Sequence, residues 1–189
     1  MELRKRTIRD EARAARRAMD PATRRAAGEA AAVRALALPQ LANARTVLVY
    51  AAMPEELDAS PLAAALRTRG ARTAYSRVCA PGGLTLHWSD GDDLEAGPFG
   101  IREPAESSPK ADAAEIDVVI VPGTAFDESC RRLGMGGGFY DRLLPRLRPG
   151  VVTIGLAFDE QIVDEVPTEA HDVPLDLVVT PTRTMKRPT

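Results

Sequence analysis

The chain has 189 residues, with 25 basic and 27 acidic side chains and a formal net charge of −2; apolar residues make up 44% and charged residues 28%. This length fits one domain over residues 1–189, and the composition excludes wholesale disorder and a collagen-like repeat. So small a net charge excludes a global field that would draw the chain to nucleic acid or to a membrane surface.

No run approaches the roughly 18 apolar residues of a membrane span, so the chain reads as soluble and cytoplasmic; a monomer is a separate expectation that composition does not decide. Aromatic residues are only 4% while alanine supplies 31 positions. The core is therefore expected from Ala, Val, Leu and Ile, with closely approaching helices.

From Met1 to Arg34 the charge is +5, against −7 for the remainder. Acids are interleaved with the bases there, which argues against a mitochondrial presequence. Residues 1–38 read as helix, broken once at Asp20-Pro21, where Asp caps and Pro takes the first position of a second helix. Thr46 to Tyr50 is a short β-branched strand. Ser60-Pro61 is expected to open a helix by the same capping chemistry, closed at Gly70.

Arg72 to Val78 and Leu84 to Ser89 are strands flanking a turn at Pro81-Gly82-Gly83, and 91–110 reads as loop. Ile116 to Val121, Val151 to Phe158 and Leu175 to Thr180 read as buried strands, with a short helix over Phe139 to Arg148. Strands alternating with helices predict a three-layer α/β/α domain around a mainly parallel sheet. Cys79 and Cys130 lack a CxxC pair or histidines at ligand spacing, so both are expected as reduced thiols. His87 and His171 are too few for a zinc cluster, and Trp88 suits either stacking or core filling.

The most informative stretch runs from Val121 to Leu144. Gly134, Gly136, Gly137 and Gly138 can take positive φ and let backbone N–H groups converge on an anion at the start of the following helix. Arg131 and Arg132 flank them with guanidinium groups suited to phosphate, and Asp141 stands one turn into the helix. The pattern is neither a Walker A loop nor a dinucleotide fingerprint. A plain tight turn is the alternative.

With Arg132 to Arg142 (RLGMGGGFYDR), the Lys5-x-x-Ile8-Arg9 pattern, Glu56-Leu57-Asp58, Gly100 to Pro104, Pro122-Gly123 with Phe126-Asp127, GLAFDEQ and HDVPLDLVVT, the chain resembles the 5-formyltetrahydrofolate cyclo-ligases nearly end to end. It departs at Cys130, where a glycine is common, and at Met135, where Tyr is frequent. The resemblance implies ATP-dependent closure of 5-formyltetrahydrofolate to 5,10-methenyltetrahydrofolate, with Mg²⁺, by phosphorylation of the formyl oxygen and attack by N10.

By the same resemblance, Lys5, Arg6, Thr7, Ile8 and Arg9 approach the nucleotide, together with Arg132, Leu133, Gly134, Met135, Gly136, Gly137, Gly138, Phe139 and Tyr140. Arg9, Ala51, Glu56 and the Met135 to Phe139 loop are expected to meet the folate. Lys5, Arg132 and Tyr140 carry the catalytic expectation, and Asp141 and Asp172 the Mg²⁺. The other N-terminal arginines read as a solvated basic face. A noncatalytic phosphate-ligand sensor and an Arg-rich nucleic-acid adaptor fit parts of the pattern, the latter weakened by the interleaved acids.

Overall fold

The structure, a computed structural model, describes residues 1–79, 82–169 and 172–188. His171 and Pro81 of the expectations above lie outside the described residues. The chain opens with helices α1 (Glu2–Ala18), α2 (Pro21–Leu36) and α3 (Pro39–Ala42). It then runs through β1 (Thr46–Val49), α4 (Ser60–Thr68), β2 (Arg72–Cys79) and β3 (Gly83–Trp88). After the short strands β4 (Glu95–Ala96) and β5 (Arg102–Glu103) come β6 (Val118–Val121), β7 (Ala125–Phe126) and β8 (Arg132–Leu133). Helix α5 (Phe139–Leu143), β9 (Val152–Leu156), β10 (Leu177–Val179) and β11 (Thr184–Lys186) complete it.

The main sheet has seven strands in the order β11-β10-β9-β6-β1-β2-β3. Its five inner strands are parallel, and β3 and β11 close the two edges in antiparallel register. Alternation along each strand divides the core between the two faces. Val47, Val49, Val118 and Ile120 join the cluster under α2 and α4, while Leu48, Val119 and Val121 join one with Leu143, Leu144 and Ile116. The three-layer expectation is met: a mainly parallel sheet with helices on both faces.

Small side chains set the spacing of the first layer. Helix α2 buries Gly28, Ala31, Ala32 and Ala35, and a Cβ on Gly28 would come within 3.2 Å of the Asp58 carbonyl oxygen. Its start is capped as expected, with Asp20 Oδ1 accepting from the N–H groups of Ala22 and Thr23 at 3.0 Å. At α4 the expected cap moves. Asp58, two residues earlier, accepts from the Ser60 N–H at 2.9 Å and hydroxyl at 2.7 Å, so Ser60 is a donor within an Asx turn instead of the capping acceptor.

Other elements differ from the sequence expectation for local reasons. Helix α5 has five residues and passes at once into a 3-10 turn over Leu144–Arg146, since Pro145 has no N–H to continue an α-helical ladder. A five-residue helix has little macrodipole, so anion binding nearby rests on individual N–H groups. The stretch 91–110 is not structureless: it holds the β4–β5 ribbon, with Glu103 buried, paired to Arg77 at 3.0 Å and accepting from the Val78 N–H at 3.0 Å.

The β7–β8 hairpin was not anticipated, because its signal is one buried carboxylate. Asp127 is fully buried, with Oδ1 accepting from the N–H groups of Ser129 and Arg131 at 3.0 Å and Oδ2 from Val166 N–H at 2.9 Å. The tight turn it organises drives Cys130 to φ 59°, a region that costs a side-chain-bearing residue about 1–2 kcal/mol and glycine nothing. That is the physical content of the departure at this position. Cys130 is fully buried, and burial pushes its thiol up to about 11. Both cysteines are free. A thiol-specific alkylating reagent at pH 8 is expected to label the native chain only at Cys79, with Cys130 reacting after denaturation; mass spectrometry of the labelled peptides checks this.

Candidate active site

Strands β1 and β6 are neighbours, and the chain leaves their C-terminal ends toward opposite sides of the sheet, to β2 and to β9. In open α/β sheets such a switch point leaves a crevice beyond the strand ends. A cavity of about 440 Å³ lies there, within the range of small-molecule sites. Tyr50, Ala51, Met53 and Glu56 line it from the β1 side. Pro122 and Gly123 contribute from the β6 side, with Arg132, Gly134, Met135, Gly137, Gly138, Phe139, Tyr140 and Asp141 beyond them.

The glycine loop arches over this cavity with its polar groups sorted. Arg9 Nε donates to the Gly134 carbonyl at 3.0 Å, and Arg142 Nη2 donates to the Gly137 carbonyl at 2.8 Å and to that of Gly82 at 2.6 Å. With two carbonyls drawn to cations, the N–H groups that follow them across the planar peptides point the other way. The main-chain N–H groups of Met135, Gly136, Gly137 and Gly138 donate to no hydrogen bond among the described residues. Gly136 at φ 106° and Gly138 at φ 64° allow this path. A run of unsatisfied N–H groups with flanking guanidinium groups suits an anion.

Arg132 is buried beneath the loop. Its Nη2 pairs with Asp141 Oδ1, Nη1 reaches the Pro122 carbonyl at 3.4 Å, and the guanidinium lies 5.9 Å from the Tyr140 ring centre. The Tyr140 hydroxyl is buried near Ser76 without a well-formed hydrogen bond, and desolvation holds its ionisation well above the ordinary tyrosine value. Arg131, expected beside Arg132, turns away to Asp127 at 2.7 Å and Glu165 at 3.7 Å.

On α1, Lys5 is buried and pairs with Glu169 at 3.1 Å and Asp172 at 3.3 Å. Burial pulls its ammonium down, but the two carboxylates outweigh that and leave it raised overall. Arg6 and Thr7 face solvent: Arg6 lies 3.9 Å from Asp10, and Thr7 donates to the Leu3 carbonyl at 3.1 Å. Ile8 and Leu133 pack in a small apolar cluster with Ala12, Ala125 and Val166 that docks α1 on the β7–β8 hairpin.

The cavity therefore gathers Ala51, Glu56, Arg132, Gly134, Met135 and 137–141, with Arg9 clasping the loop and Gly136 adjoining Arg9. Lys5 and Asp172 form a pair at the other end of α1. Nor is α1 the uniform solvated face expected: Arg16 is also buried, and Arg13 lines the cavity. Arg13 continues the i,i+4 series of Lys5 and Arg9, the signal that would have found it. Phe99 also lines the cavity, 72% exposed, with its ring edge-on to Phe139 at 6.4 Å; a loop aromatic carried no such signal. Trp88 lies elsewhere under Arg72 at 3.8 Å, and His87 donates from Nδ1 to the Ser108 carbonyl at 2.8 Å.

The sequence and the fold match known proteins. Residues 2–181 match the 5-formyltetrahydrofolate cyclo-ligase family. This chain belongs to that family. The 5-formyltetrahydrofolate cyclo-ligase of Escherichia coli is 37% identical over 174 residues, covering 89% of this chain and 95% of that one. That of Mycolicibacterium smegmatis is 37% identical over 162 residues, covering 82% and 84%. The solution structure of 5,10-methenyltetrahydrofolate synthetase from Aquifex aeolicus superposes with a TM-score of 0.83 at 28% identity, covering 96% of this chain and 92% of that one. The chain is an enzyme of the cyclo-ligase class. No described helix is long and apolar enough to cross a membrane.

Glu56 shows the electrostatic tension of the cavity wall. Burial raises its carboxyl above the ordinary range, only partly countered by the Met53 N–H, 3.1 Å from Oε2, and by the charge of Arg16. A carboxyl raised in the folded state binds protons more strongly there than in the unfolded chain. Its contribution to stability therefore falls as pH rises from about 4.3 through the folded value. Glu56→Gln is expected to unfold at higher temperature than the parent at pH 7, with the advantage vanishing near pH 4. Calorimetric melting across that range checks the sign.

Proposed function

We propose that the protein converts 5-formyltetrahydrofolate and ATP to 5,10-methenyltetrahydrofolate, ADP and phosphate at the cavity between β1 and β6. The supporting observation is the meeting, in a chain of this family, of four unbonded loop N–H groups and Arg132 on one wall with the desolvated Glu56 on another. The first set suits a triphosphate, and Glu56 suits the N–H donors of a pterin. A binding protein needs only the first.

A formamide oxygen is a poor leaving group. In the proposed sequence its electron pair forms a bond to the γ-phosphorus while the bond to the ADP oxygen breaks, the pair leaving with ADP. The folate N10 then adds to the activated carbon and loses its proton, and the C–O bond breaks with its electrons on phosphate, leaving the methenyl bridge. Transfer of this kind needs alignment and charge stabilisation more than a protein nucleophile.

The 135–138 amides and Arg132 hold the phosphate oxygens, Arg9 fixes the loop through the Gly134 carbonyl, and Lys5 adds positive charge beside Asp172. Ala51 and the Met135 to Phe139 loop border the pterin, and Tyr140 supports Arg132 with its ring. Arg6, Thr7, Ile8 and Leu133 act through backbone or by docking α1.

For Mg²⁺ the donor chemistry fits: Asp141 faces the cavity with Oδ1 held by Arg132, Asp172 is held by Lys5, and Mg²⁺ in phosphate sites takes one or two carboxylates with waters. Among the described residues no three acidic, Cys or His side chains cluster as a ready-made cage. Asp141, which lines the cavity, would hold the ion, which neutralises phosphate charge when bound, while Asp172 stands beside Lys5 outside the cavity lining. The reading also takes the chain as one cytoplasmic domain acting as a monomer without nucleic acid or membrane.

The test follows methenyl absorbance and ADP together in one reaction of the protein with 5-formyltetrahydrofolate, Mg²⁺ and ATP. Equal accumulation of the two is expected, and ATP binding without either product would instead identify a sensor. Asp141→Asn is expected to lower turnover about tenfold or more and to raise the Mg²⁺ concentration needed for half-maximal rate, with melting temperature little changed. An unaltered Mg²⁺ titration would remove Asp141 from that role.

A further inference from the structure

Among the described residues, the cations at this site other than Arg13 are engaged, save Arg16, which is buried outside the cavity lining with its Nε unpartnered. Lys5 is held by Glu169 and Asp172, and Arg9 by the Gly134 carbonyl and by Glu2 at 3.0 Å. Arg132 is held by Asp141 and the Pro122 carbonyl, and Arg102, which also lines the cavity, donates from Nε and Nη2 to the Leu94 carbonyl. Arg13 is half-buried, lines the same cavity, and makes no hydrogen bond, ion pair or ring contact with any described residue. A half-buried guanidinium has lost part of its hydration and carries five N–H donors with no protein acceptor. In a cavity that receives anionic ligands, such a group is completed by the ligand.

Its place along α1 narrows which part of the ligand that is. Arg9, one turn earlier, is at the glycine loop, on the Gly134 carbonyl and against Gly136. Arg16, one turn later, is buried close enough for its charge to act on Glu56. With about 1.5 Å rise per residue, Arg13 falls roughly 6 Å from the phosphate end toward the pterin end. In 5-formyltetrahydrofolate bound with its pterin at Glu56 and ATP bound at the glycine loop, the formyl oxygen and the γ-phosphorus meet between those two ends.

We infer that Arg13 is a catalytic residue of this reaction, donating to the equatorial oxygens of the phosphoryl group as it passes from ADP to the formyl oxygen. The inference rests on the function proposed above. The formyl oxygen supplies the electron pair for the new P–O bond, the bridging P–O bond breaks toward ADP, and Arg13 gives and receives no proton. Its charge opposes the negative charge spread over the three oxygens in flight. Stabilisation made mainly at that point lowers the rate when removed and leaves ground-state binding nearly intact.

The experiment compares the parent chain with Arg13→Ala, Arg13→Gln and Arg13→Lys. Turnover is followed by methenyl absorbance with ADP release. Equilibrium binding is measured separately for 5-formyltetrahydrofolate and for a non-hydrolysable ATP analogue with Mg²⁺. Thermal melting reports folding, which the absence of any partner for Arg13 predicts to be unchanged. Expected are a loss of kcat on the order of 100-fold in R13A and R13Q, both dissociation constants within about threefold of the parent, partial recovery in R13K, and partial rescue of R13A by millimolar guanidine, which a merely structural role would not give. Parent-like kcat in R13A and R13Q overturns the inference. So does a loss confined to folate affinity, which would make Arg13 an anchor for the folate carboxylates, or one confined to nucleotide affinity. A parent chain that makes neither product overturns the functional reading itself, an outcome distinct from failure of the variants alone.

Discussion

Strands β1 and β6 lie side by side, and the chain leaves them toward opposite edges of the sheet. No connection can cover the gap above their ends, because each is drawn toward its own next strand. The residues just past those ends, Tyr50 to Glu56 and Pro122 to Gly123, therefore line a cavity without having to be cleared from it. The apolar strand positions below are fully buried, and this rigid floor is what allows a loop as glycine-rich as 134–138 to hold a defined shape.

That shape is imposed from outside the loop. Arg9 takes the Gly134 carbonyl and Arg142 that of Gly137. The loop needs no internal hydrogen bonds, and its N–H groups are left over. Packing on α1 links this arrangement to the C-terminal segment, since Ile8 and Ala12 pack with Leu133 and Val166 while Lys5 pairs with Glu169 and Asp172. The N-terminal helix thus couples two regions that sequence separation would not connect, and its inward cations are structural and functional parts of one face.

The sheet and its helices were legible in the sequence because burial on both faces leaves continuous β-branched runs, as in Val118 to Val121, and because Asp20-Pro21 and Gly70 punctuate the helices by local chemistry. The glycine loop was legible for the same reason. The β7–β8 hairpin was not, because it depends on Asp127 reaching Val166 across 39 residues. Ser60 misled because a neighbouring carboxylate, Asp58, takes both its N–H and its hydroxyl hydrogen, which makes Ser60 a donor instead of a cap. Arg13 and Arg131 show the limit most plainly. Both are arginines near recognisable motifs, and only three-dimensional packing decides that one is neutralised by buried Asp127 while the other lines the cavity without a partner among the described residues.

The same contrast explains how the fold tolerates unsatisfied charge. Asp127 and Glu103 are buried but fully engaged by backbone N–H groups and arginines, so they stabilise turns. Glu56 and Arg13 border the cavity with far fewer partners, and no ion pair joins them to each other among the described residues. Pairing Glu56 with Arg13 would relieve both at once, yet it would hide an acceptor and a donor from any ligand. Their separation costs folding stability, and it keeps one negative and one positive group available at different depths of the same cavity. A substrate that is a hydrogen-bond donor at one end and acquires an anionic phosphoryl group at the other requires such a division of charge.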